Sequence, residues 1–240
     1  MTQFFLNIVQ TSIQGAFVAL VIIVLRLVLI KRPRRYAYIL WLIVLLRLAL
    51  PMTLETSFSL LPPAVVTPTF LEEPVNTPGS VDAPRVERPW EVPVHEVDPT
   101  FTFGLLEGAT LLYGVGVLVL LLHFSLEHGR LRKKMLGAKK IGPGLYMGRS
   151  IDVPFSYGVF HKRIYLPLGL SVEEKVQIIA HEKVHLKRQD PLIKMVAYLT
   201  VILHWFNPIL WLSYTLMIKD MELSCDEETL KEASKEEKGA

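Results

Sequence analysis

IIAHEKVHLKRQD, residues 178–190, contains two histidines that are four residues apart and enclose a glutamate. Side chains at positions i and i+4 of an α-helix lie on the same face, so His181 and His185 can bind one Zn²⁺ ion together. Glu182 is then positioned to activate a water molecule at the metal. The pentapeptide also arises by chance, and a surface helix with two solvated histidines is the alternative interpretation. A catalytic zinc needs a third protein ligand, which has to come from elsewhere in the chain.

The composition indicates an integral membrane protein. Of its 240 residues, 51% are hydrophobic, and the mean hydropathy is +0.36. A helix that crosses a bilayer needs about 20 predominantly apolar residues. Three runs meet this requirement, at 6–30, 36–54 and 101–124. We therefore predict three transmembrane helices in contact with the lipid bilayer. The first should be a retained anchor, because no basic segment of the signal-peptide type precedes it.

The distribution of charge predicts the orientation in the membrane. Basic residues are concentrated at 31–35, after the first run, and at 130–140, after the third. Residues 61–100 contain seven acids, two arginines and nine of the sixteen prolines. Because cytoplasmic loops carry the excess of Lys and Arg, the N-terminus and the proline-rich loop should lie outside and residues 125–240 should face the cytoplasm. We attribute the basic segments to this orientation and expect no direct nucleic-acid binding.

The sequence pattern changes between residues 142 and 169, where two segments are expected to form short strands. Glycine and proline turns bound two segments rich in aromatic and β-branched residues, 151–160 and 163–167. Strand residues 164–166 could align an extended substrate by edge pairing. Ser171 and Glu174 then form a capping-box sequence, which predicts a helix at about 172–189 that carries both histidines.

Two Asx-Pro pairs decide where the third ligand lies. Asp190-Pro191 and Asn207-Pro208 are typical helix starts, with Asx at the N-cap and Pro at the first helical position. They predict two helices, at about 191–206 and 208–228. One continuous helix would carry Glu222 about 40 Å from the histidines, whereas two antiparallel arms return it to their level. We predict a helical hairpin that dips into the membrane; the alternative is an ordinary fourth span.

Acidic residues in the second arm could supply the metal chemistry. Glu222 and Asp226 lie at i and i+4 and share one helix face. Glu222 can ligate the metal, while Asp226 can accept a hydrogen bond from a ligating histidine and orient it. Asp190 is a second candidate for that role, although helix capping explains this residue equally well. The single cysteine, Cys225, excludes an intrachain disulfide and a multi-cysteine metal cluster, and we interpret it as a small helix residue.

Five sequence segments, taken together, carry a family resemblance. They are Tyr38-Ile-Leu-Trp-Leu-Ile-Val-Leu-Leu-Arg-Leu-Ala-Leu-Pro, Arg163-Ile-Tyr-Leu-Pro, His181-Glu-Lys-Val-His-Leu-Lys-Arg-Gln-Asp, His204-Trp-Phe-Asn-Pro and Glu222-Leu-Ser-Cys-Asp-Glu. The set resembles the BlaR/MecR-type integral membrane zinc metallopeptidases, the antirepressor or β-lactam-sensor signal transducers. The resemblance covers nearly the whole chain except the proline-rich loop.

The resemblance implies a gluzincin-like zinc endopeptidase in the bacterial plasma membrane, with its site facing the cytoplasm. It implies that His181, His185 and Glu222 are the ligands of one Zn²⁺ per chain and that Glu182 is the general base. It also implies regulated proteolysis, in which the protease cleaves itself or a cytoplasmic partner such as a transcriptional repressor. A homodimer is compatible with this expectation.

The sequence departs from the β-lactam sensors of that family in one respect. Those members carry a C-terminal extracellular penicillin-binding domain whose nucleophile lies in Ser-x-x-Lys. No such tetrapeptide occurs in residues 1–240, which end in a charged tail. We therefore expect the protease module alone, from a longer protein or from a relative without a sensor. Antibiotic sensing is implied by kinship only.

The expected fold class is a mostly α membrane protein with three transmembrane helices, a cytoplasmic-facing α+β zinc protease unit and a membrane-dipping helical hairpin. The predicted domains are 1–60, two transmembrane helices with the basic loop 31–35; 61–100, the external loop; 101–124, the third transmembrane helix; and 125–240, the metallopeptidase domain with its hairpin at 191–228.

Two other functions are compatible with the motifs. One is a housekeeping zinc protease resembling the HtpX or Ste24 type, and the other is a membrane signalling scaffold that keeps a metal without hydrolysis. A channel or transporter is disfavoured by the small number of spans.

Overall fold

A computed structural model describes residues 2–49 and 99–239 of the chain. The contacts discussed below lie within one unit, which comprises Met1–Pro51 and Gly104–Ala240 and includes α3 from Gly104 onward. Nearly all of the predicted external loop, 61–100, lies outside the described residues, as does the end of the predicted second span.

The described chain is mostly helical, with a small mixed sheet between its third and fourth helices, which confirms the mostly α class. The elements are α1 Thr2–Val28, α2 Arg34–Ala49, α3 Pro99–Leu136, β1 Lys139–Gly142, β2 Leu145–Gly148, β3 Phe155–Tyr157, β4 Arg163–Pro167, α4 Val172–Arg188, α5 Asp190–Leu203 and α6 Pro208–Gly239. A turn of 3₁₀ helix, Leu29–Lys31, follows α1.

Two of the described helices are long and apolar enough to cross a membrane. These are Thr2–Lys31 and Gly104–Leu136, and they contain most of the first and third predicted spans. The second predicted span begins in α2, which has 16 residues, and continues into residues that are not described. The three-span topology therefore stays a prediction.

Helices α1, α2, α5 and α6 share one apolar core. Its buried members are Ala19 and Ile22 from α1, Trp41 and Val44 from α2, Ala197 from α5, and Leu210 and Met217 from α6. Because lipid tails are as apolar as these side chains, van der Waals packing rather than removal from water holds such helices together in a bilayer. This core fixes the position of α6 beside the first two helices.

The chain reverses direction between α5 and α6, as the Asn207-Pro208 pair predicts. The Asn207 N–H donates to the carbonyl of His204 at 2.9 Å and closes the turn. The Oδ1 atom of Asn207 then accepts from the N–H of Ile209 at 3.0 Å and caps α6. The rings of Tyr198 and Tyr214 lie 5.7 Å apart, so the two arms pack side by side. A single helix through 192–218 is excluded.

The predicted capping box starts α4. The Glu174 N–H donates to the Ser171 hydroxyl at 3.1 Å, and the Ser171 N–H donates to the Glu174 carboxylate at 2.8 Å. One face of the helix then packs on the sheet, where buried Leu186 contacts a cluster that includes Ile164 and Leu166. The cap and the apolar face together explain why this helix begins at Val172 and lies against the sheet.

The sheet has the strand order β1-β2-β4-β3, in which β2 and β4 are parallel and the other two pairs are antiparallel. Tyr165 of β4 stacks between Tyr146 of β2 and Phe155 of β3, at 5.2 and 5.1 Å between ring centroids. In this strand order β4 lies between β2 and β3 and is paired along both edges. The prediction that residues 164–166 offer an edge to a substrate is therefore wrong. The outer strand on that side is β3.

A buried carboxylate ties α6 to the first two helices. Asp220 has no exposed surface and accepts two hydrogen bonds from the Arg26 guanidinium, at 2.6 and 2.9 Å. The indole N–H of Trp41 donates to the same carboxylate at 2.8 Å. Two donors from α1 and one from α2 thus fix the position of α6 two residues before Glu222.

We expect Asp220→Asn to destabilise the protein, because the substitution leaves the Arg26 guanidinium buried without the carboxylate that pairs with it. Breaking a buried ion pair from one side costs about 3–5 kcal/mol. The measurement is the thermal unfolding midpoint in detergent. Asp152→Asn is the control, because Asp152 pairs with Lys134 at the surface and its side chain is 72% exposed. Equal shifts in the two variants would contradict the assigned role of Asp220.

Candidate metal centre

Helix α4 directs its two histidines to one point. The Nε2 atoms of His181 and His185 lie 3.1 Å apart, and the ring planes are 77° from each other. The i, i+4 spacing predicts this shared face. His185 is buried, whereas the side chain of His181 is 27% exposed.

Helix α6 brings a carboxylate to the same point. The Oε2 atom of Glu222 lies 3.2 Å from Nε2 of His185 and 3.7 Å from Nε2 of His181. The other oxygen, Oε1, accepts a hydrogen bond from the Lys194 ammonium at 2.7 Å. Lys194 therefore occupies one oxygen of Glu222 and leaves the second facing the histidines.

The three atoms have the spacing that a tetrahedral zinc ion requires. Ligands about 2.0–2.1 Å from such an ion lie about 3.3 Å from one another. The observed separations are 3.1, 3.2 and 3.7 Å, so the triangle matches one face of the tetrahedron. Two imidazoles and a carboxylate are also the donors of many catalytic zinc sites. The residues present therefore fit a zinc ion, and their role as ligands stays a prediction.

Two more carboxylates orient the histidines from behind. The Asp190 Oδ2 atom lies 2.7 Å from Nδ1 of His185, and the Asp226 Oδ1 atom lies 3.2 Å from Nδ1 of His181. Because an ionised carboxylate only accepts, each Nδ1 atom donates the hydrogen, and each Nε2 atom keeps the lone pair that could bind a metal. The structure thus places both predicted residues within hydrogen-bond distance of a histidine, and their role in orienting metal ligands stays a prediction.

The predicted capping role of Asp190 is wrong. The N-cap of α5 is Gln189, which has a left-handed backbone with φ of 63° and makes no side-chain cap. Its N–H donates to the carbonyl of His185 and ends α4. Because the chain turns within this single residue, Asp190 already belongs to the first turn of α5 and its side chain returns to His185.

The site has an electrostatic field that favours a cation. The hydrogen bond from His185 and the nearby Lys194 lower the pKa of Glu222 to about 2, although burial opposes this shift. Burial by itself would lower the pKa of His185, but hydrogen bonds with Asp190, Cys225 and Glu222 raise it to about 11. A proton and a metal ion compete for the same Nε2 lone pair, so the field that raises this pKa also attracts a metal.

Cys225 is closer to the centre than its interpretation as a small helix residue suggests. It is buried on α6, and its thiol lies 3.5 Å from the carbonyl oxygen of His181. Donor atoms of His181, His185 and Cys225 lie within 4.8 Å of one another. A thiolate is a good zinc ligand, so this residue is a second candidate for the third position. The Glu222 carboxylate contacts the Nε2 atoms of both histidines, at 3.2 and 3.7 Å, and is the first candidate.

A cavity of about 1200 Å³ opens onto the centre and is lined by His181, His185, Glu182 and Glu222. Glu182 is 8% exposed. The wall also includes Phe155, Ser156 and Tyr157 of strand β3 and Phe124 and His128 of α3. The cavity therefore combines the predicted ligands and base with the outer strand of the sheet.

His128 lines this cavity, although no sequence motif indicated it. Its Nε2 atom lies 3.2 Å from the hydroxyl of Tyr157, so α3 contacts β3 at the cavity wall. The apolar run that predicts the third span ends at Phe124, before this histidine. No short-range signal connects His128 to a strand that follows it by almost thirty residues.

Two imidazoles from an HExxH helix and a carboxylate from a second helix define the arrangement of the zinc metallopeptidases. The comparison with known families agrees with this class. The chain belongs to the BlaR1 peptidase M56 family, whose model matches residues 6–239. The resemblance inferred from the sequence segments is thereby confirmed.

Individual relatives match a shorter part of the chain. The regulatory protein BlaR1 of Bacillus licheniformis is 36% identical over 88 residues, which are 35% of this chain and 15% of the relative. The methicillin resistance mecR1 proteins of Staphylococcus aureus and Staphylococcus epidermidis are 34% identical over 86 residues, or 34% of this chain and 15% of each relative. The chain thus matches about 15% of the length of these relatives. Together with the family, they support a membrane-associated peptidase or signal transducer.

We expect Glu222→Ala to remove most of the bound zinc from the purified protein and Cys225→Ser to retain it. The reason is that one Glu222 oxygen contacts both histidine nitrogens, at 3.2 and 3.7 Å, whereas the Cys225 thiol can donate to the carbonyl of His181. The measurement is metal content by atomic emission after dialysis against zinc-free buffer. Undiminished zinc in the Glu222 variant, or loss of zinc in the Cys225 variant, would contradict this ligand set.

Proposed function

We propose that the protein is a zinc-dependent endopeptidase of the bacterial plasma membrane that cleaves peptide bonds on the cytoplasmic side. His181, His185 and Glu222 would hold the zinc ion, one per chain. The observation that carries this proposal is the contact of the Glu222 carboxylate with both histidines, at 3.2 and 3.7 Å, on the wall of a cavity that Glu182 also lines.

Glu182 is the general base in this proposal. A bound zinc ion supplies Lewis acidity that polarises the scissile carbonyl and makes water acidic enough to ionise near neutral pH. The Glu182 carboxylate takes the proton from the attacking water and delivers it to the leaving amine. Asp190 and Asp226 keep the histidine rings oriented through their Nδ1 atoms.

The substrate in this proposal is an extended polypeptide segment that pairs with β3. An outer strand has backbone N–H and C=O groups that can pair with an added strand. All three residues of β3 line the cavity that contains the metal centre. A segment bound along this strand would pass beside Glu182. This location replaces β4, which is paired on both sides.

Regulated proteolysis is the biological role that the relatives favour. Their names describe a regulatory protein in Bacillus licheniformis and methicillin resistance proteins in Staphylococcus. By analogy, this protein would cleave itself or a cytoplasmic partner such as a transcriptional repressor, as a monomer or a homodimer. The activating signal would reach the site through the membrane helices.

We expect Glu182→Gln to keep its zinc and to lose peptide cleavage. The amide preserves the shape of the side chain but cannot accept the proton of the attacking water. The measurements are metal content and the hydrolysis of a quenched-fluorescent peptide library. We expect the kcat of the variant to be at least about 100-fold below that of the wild type. Glu173→Gln is the matched control, because Glu173 is an exposed acid in the first turn of the same helix.

The same pair of variants distinguishes a protease from a signalling scaffold. If the protein is a scaffold with a structural metal, Glu182→Gln should retain signalling in cells as well as zinc. Wild-type cleavage by this variant would contradict the role of Glu182 and, with it, the proposed mechanism.

We expect the sheet to be cytoplasmic, because the charge distribution predicts that orientation. In a Cys225→Ser background, a cysteine introduced at exposed Ser150 should react with a membrane-impermeant maleimide only after the cells are permeabilised. A cysteine introduced at Ser80, in the predicted external loop, is the control and should react in intact cells. Labelling of the Ser150 position in intact cells would reverse the proposed topology.

A further inference from the structure

Helix α2 contributes no predicted ligand, yet one of its side chains is part of the metal centre's support. The Tyr38 hydroxyl donates to the Oδ1 atom of Asp190 at 2.9 Å. Both residues are buried, with 6% of Tyr38 and none of Asp190 exposed. Because Asp190 also contacts His185 at 2.7 Å, a continuous chain of hydrogen bonds runs from α2 to a predicted metal ligand.

The two oxygens of Asp190 have different partners. Oδ1 accepts from Tyr38, while Oδ2 accepts from His185 and lies 3.5 Å from the Nε atom of Arg188. A carboxylate that is held on both oxygens cannot rotate about its Cβ–Cγ bond without breaking a hydrogen bond in a buried site. Such a break leaves a polar group unsatisfied, which is costly away from water.

We propose that Tyr38 is a positioning residue of the metal centre. Its hydroxyl fixes the plane of the Asp190 carboxylate, which in turn holds the His185 ring with Nε2 directed at the metal position. The inference rests on the proposed zinc site and goes beyond it, because it assigns a role to a helix that lies outside the ligand set.

The hydroxyl of Tyr38 can be tested apart from the ring. The Arg188 guanidinium carbon lies 4.6 Å from the centre of the Tyr38 ring, a contact that phenylalanine preserves. Tyr38→Phe therefore removes the hydrogen bond to Asp190 and keeps the packing of α2. Tyr36→Phe is the matched control, because Tyr36 lies on the same helix and is 43% exposed.

The measurement is zinc affinity of the purified full chain, by competition with a chromophoric chelator. Loss of the outer partners of a ligating histidine weakens metal binding by 10–100-fold, so we expect about tenfold weaker zinc binding in Tyr38→Phe. Tyr36→Phe should bind as the wild type does. The visible absorption bands of the Co²⁺-loaded Tyr38 variant should also shift, because the His185 ring is held less rigidly.

A double-mutant cycle with Asp190→Asn tests whether Tyr38 acts through the carboxylate. We expect the effect of Tyr38→Phe on zinc affinity to disappear in the Asp190→Asn background, because the group it orients has been changed. An undiminished effect there would overturn the positioning role. So would a Tyr38→Phe variant that loses thermal stability in its metal-free form but has unchanged zinc affinity and an unchanged Co²⁺ spectrum.

These outcomes are distinguishable from failure of the proposed function, because zinc affinity is measured without turnover. Wild-type zinc affinity in Tyr38→Phe overturns the positioning role alone. Wild-type cleavage by Glu182→Gln overturns the proposed mechanism and leaves the role of Tyr38 intact. A wild-type protein that does not bind zinc overturns both proposals.

Discussion

The histidines of α4 meet the carboxylate of α6 only because the chain reverses between α5 and α6 and because the register of α6 is fixed. One residue of slippage would turn Glu222 about 100° around the helix axis, away from the histidines. The cap at Asn207 sets where the helix begins. The ion pair of Asp220 with Arg26 fixes its rotation two residues before Glu222. The geometry of the metal centre therefore depends on a buried contact outside it.

Helix α2 supports the predicted metal centre at two points. Tyr38 donates to Asp190, which contacts His185, and Trp41 donates to Asp220, which precedes Glu222 on α6. Residues three apart lie on one face of a helix, so a single face of α2 contacts both carboxylates. Buried charges contribute little net stability, because desolvation opposes their attraction. An arrangement of α2, α5 and α6 that broke these contacts would leave a buried charge without its partners, which is costly.

Signals that act over short distances in the sequence predicted much of this arrangement. The capping box of Ser171, the i, i+4 histidines and the Asn207-Pro208 helix start each depend on neighbouring residues, and each is present in the structure. Strands β1 and β2 were not predicted, because two lysines begin β1 and neither strand alternates apolar and polar residues. The central position of β4 depends on strand order, which no local pattern encodes.

The balance of charge favours Glu222 over Cys225 as the predicted third ligand. The carboxylates of four residues lie at the centre, those of Glu182, Asp190, Asp226 and Glu222, and a divalent ion would neutralise two of their charges. The ammonium of Lys194, which donates to Glu222 at 2.7 Å, and the guanidinium of Arg188, 3.5 Å from Asp190, supply the other two positive charges. A Cys225 thiolate would add a further buried negative charge, which is costly without a partner. As a thiol, Cys225 can instead donate to the carbonyl of His181, which agrees with the prediction that Glu222 takes the third position.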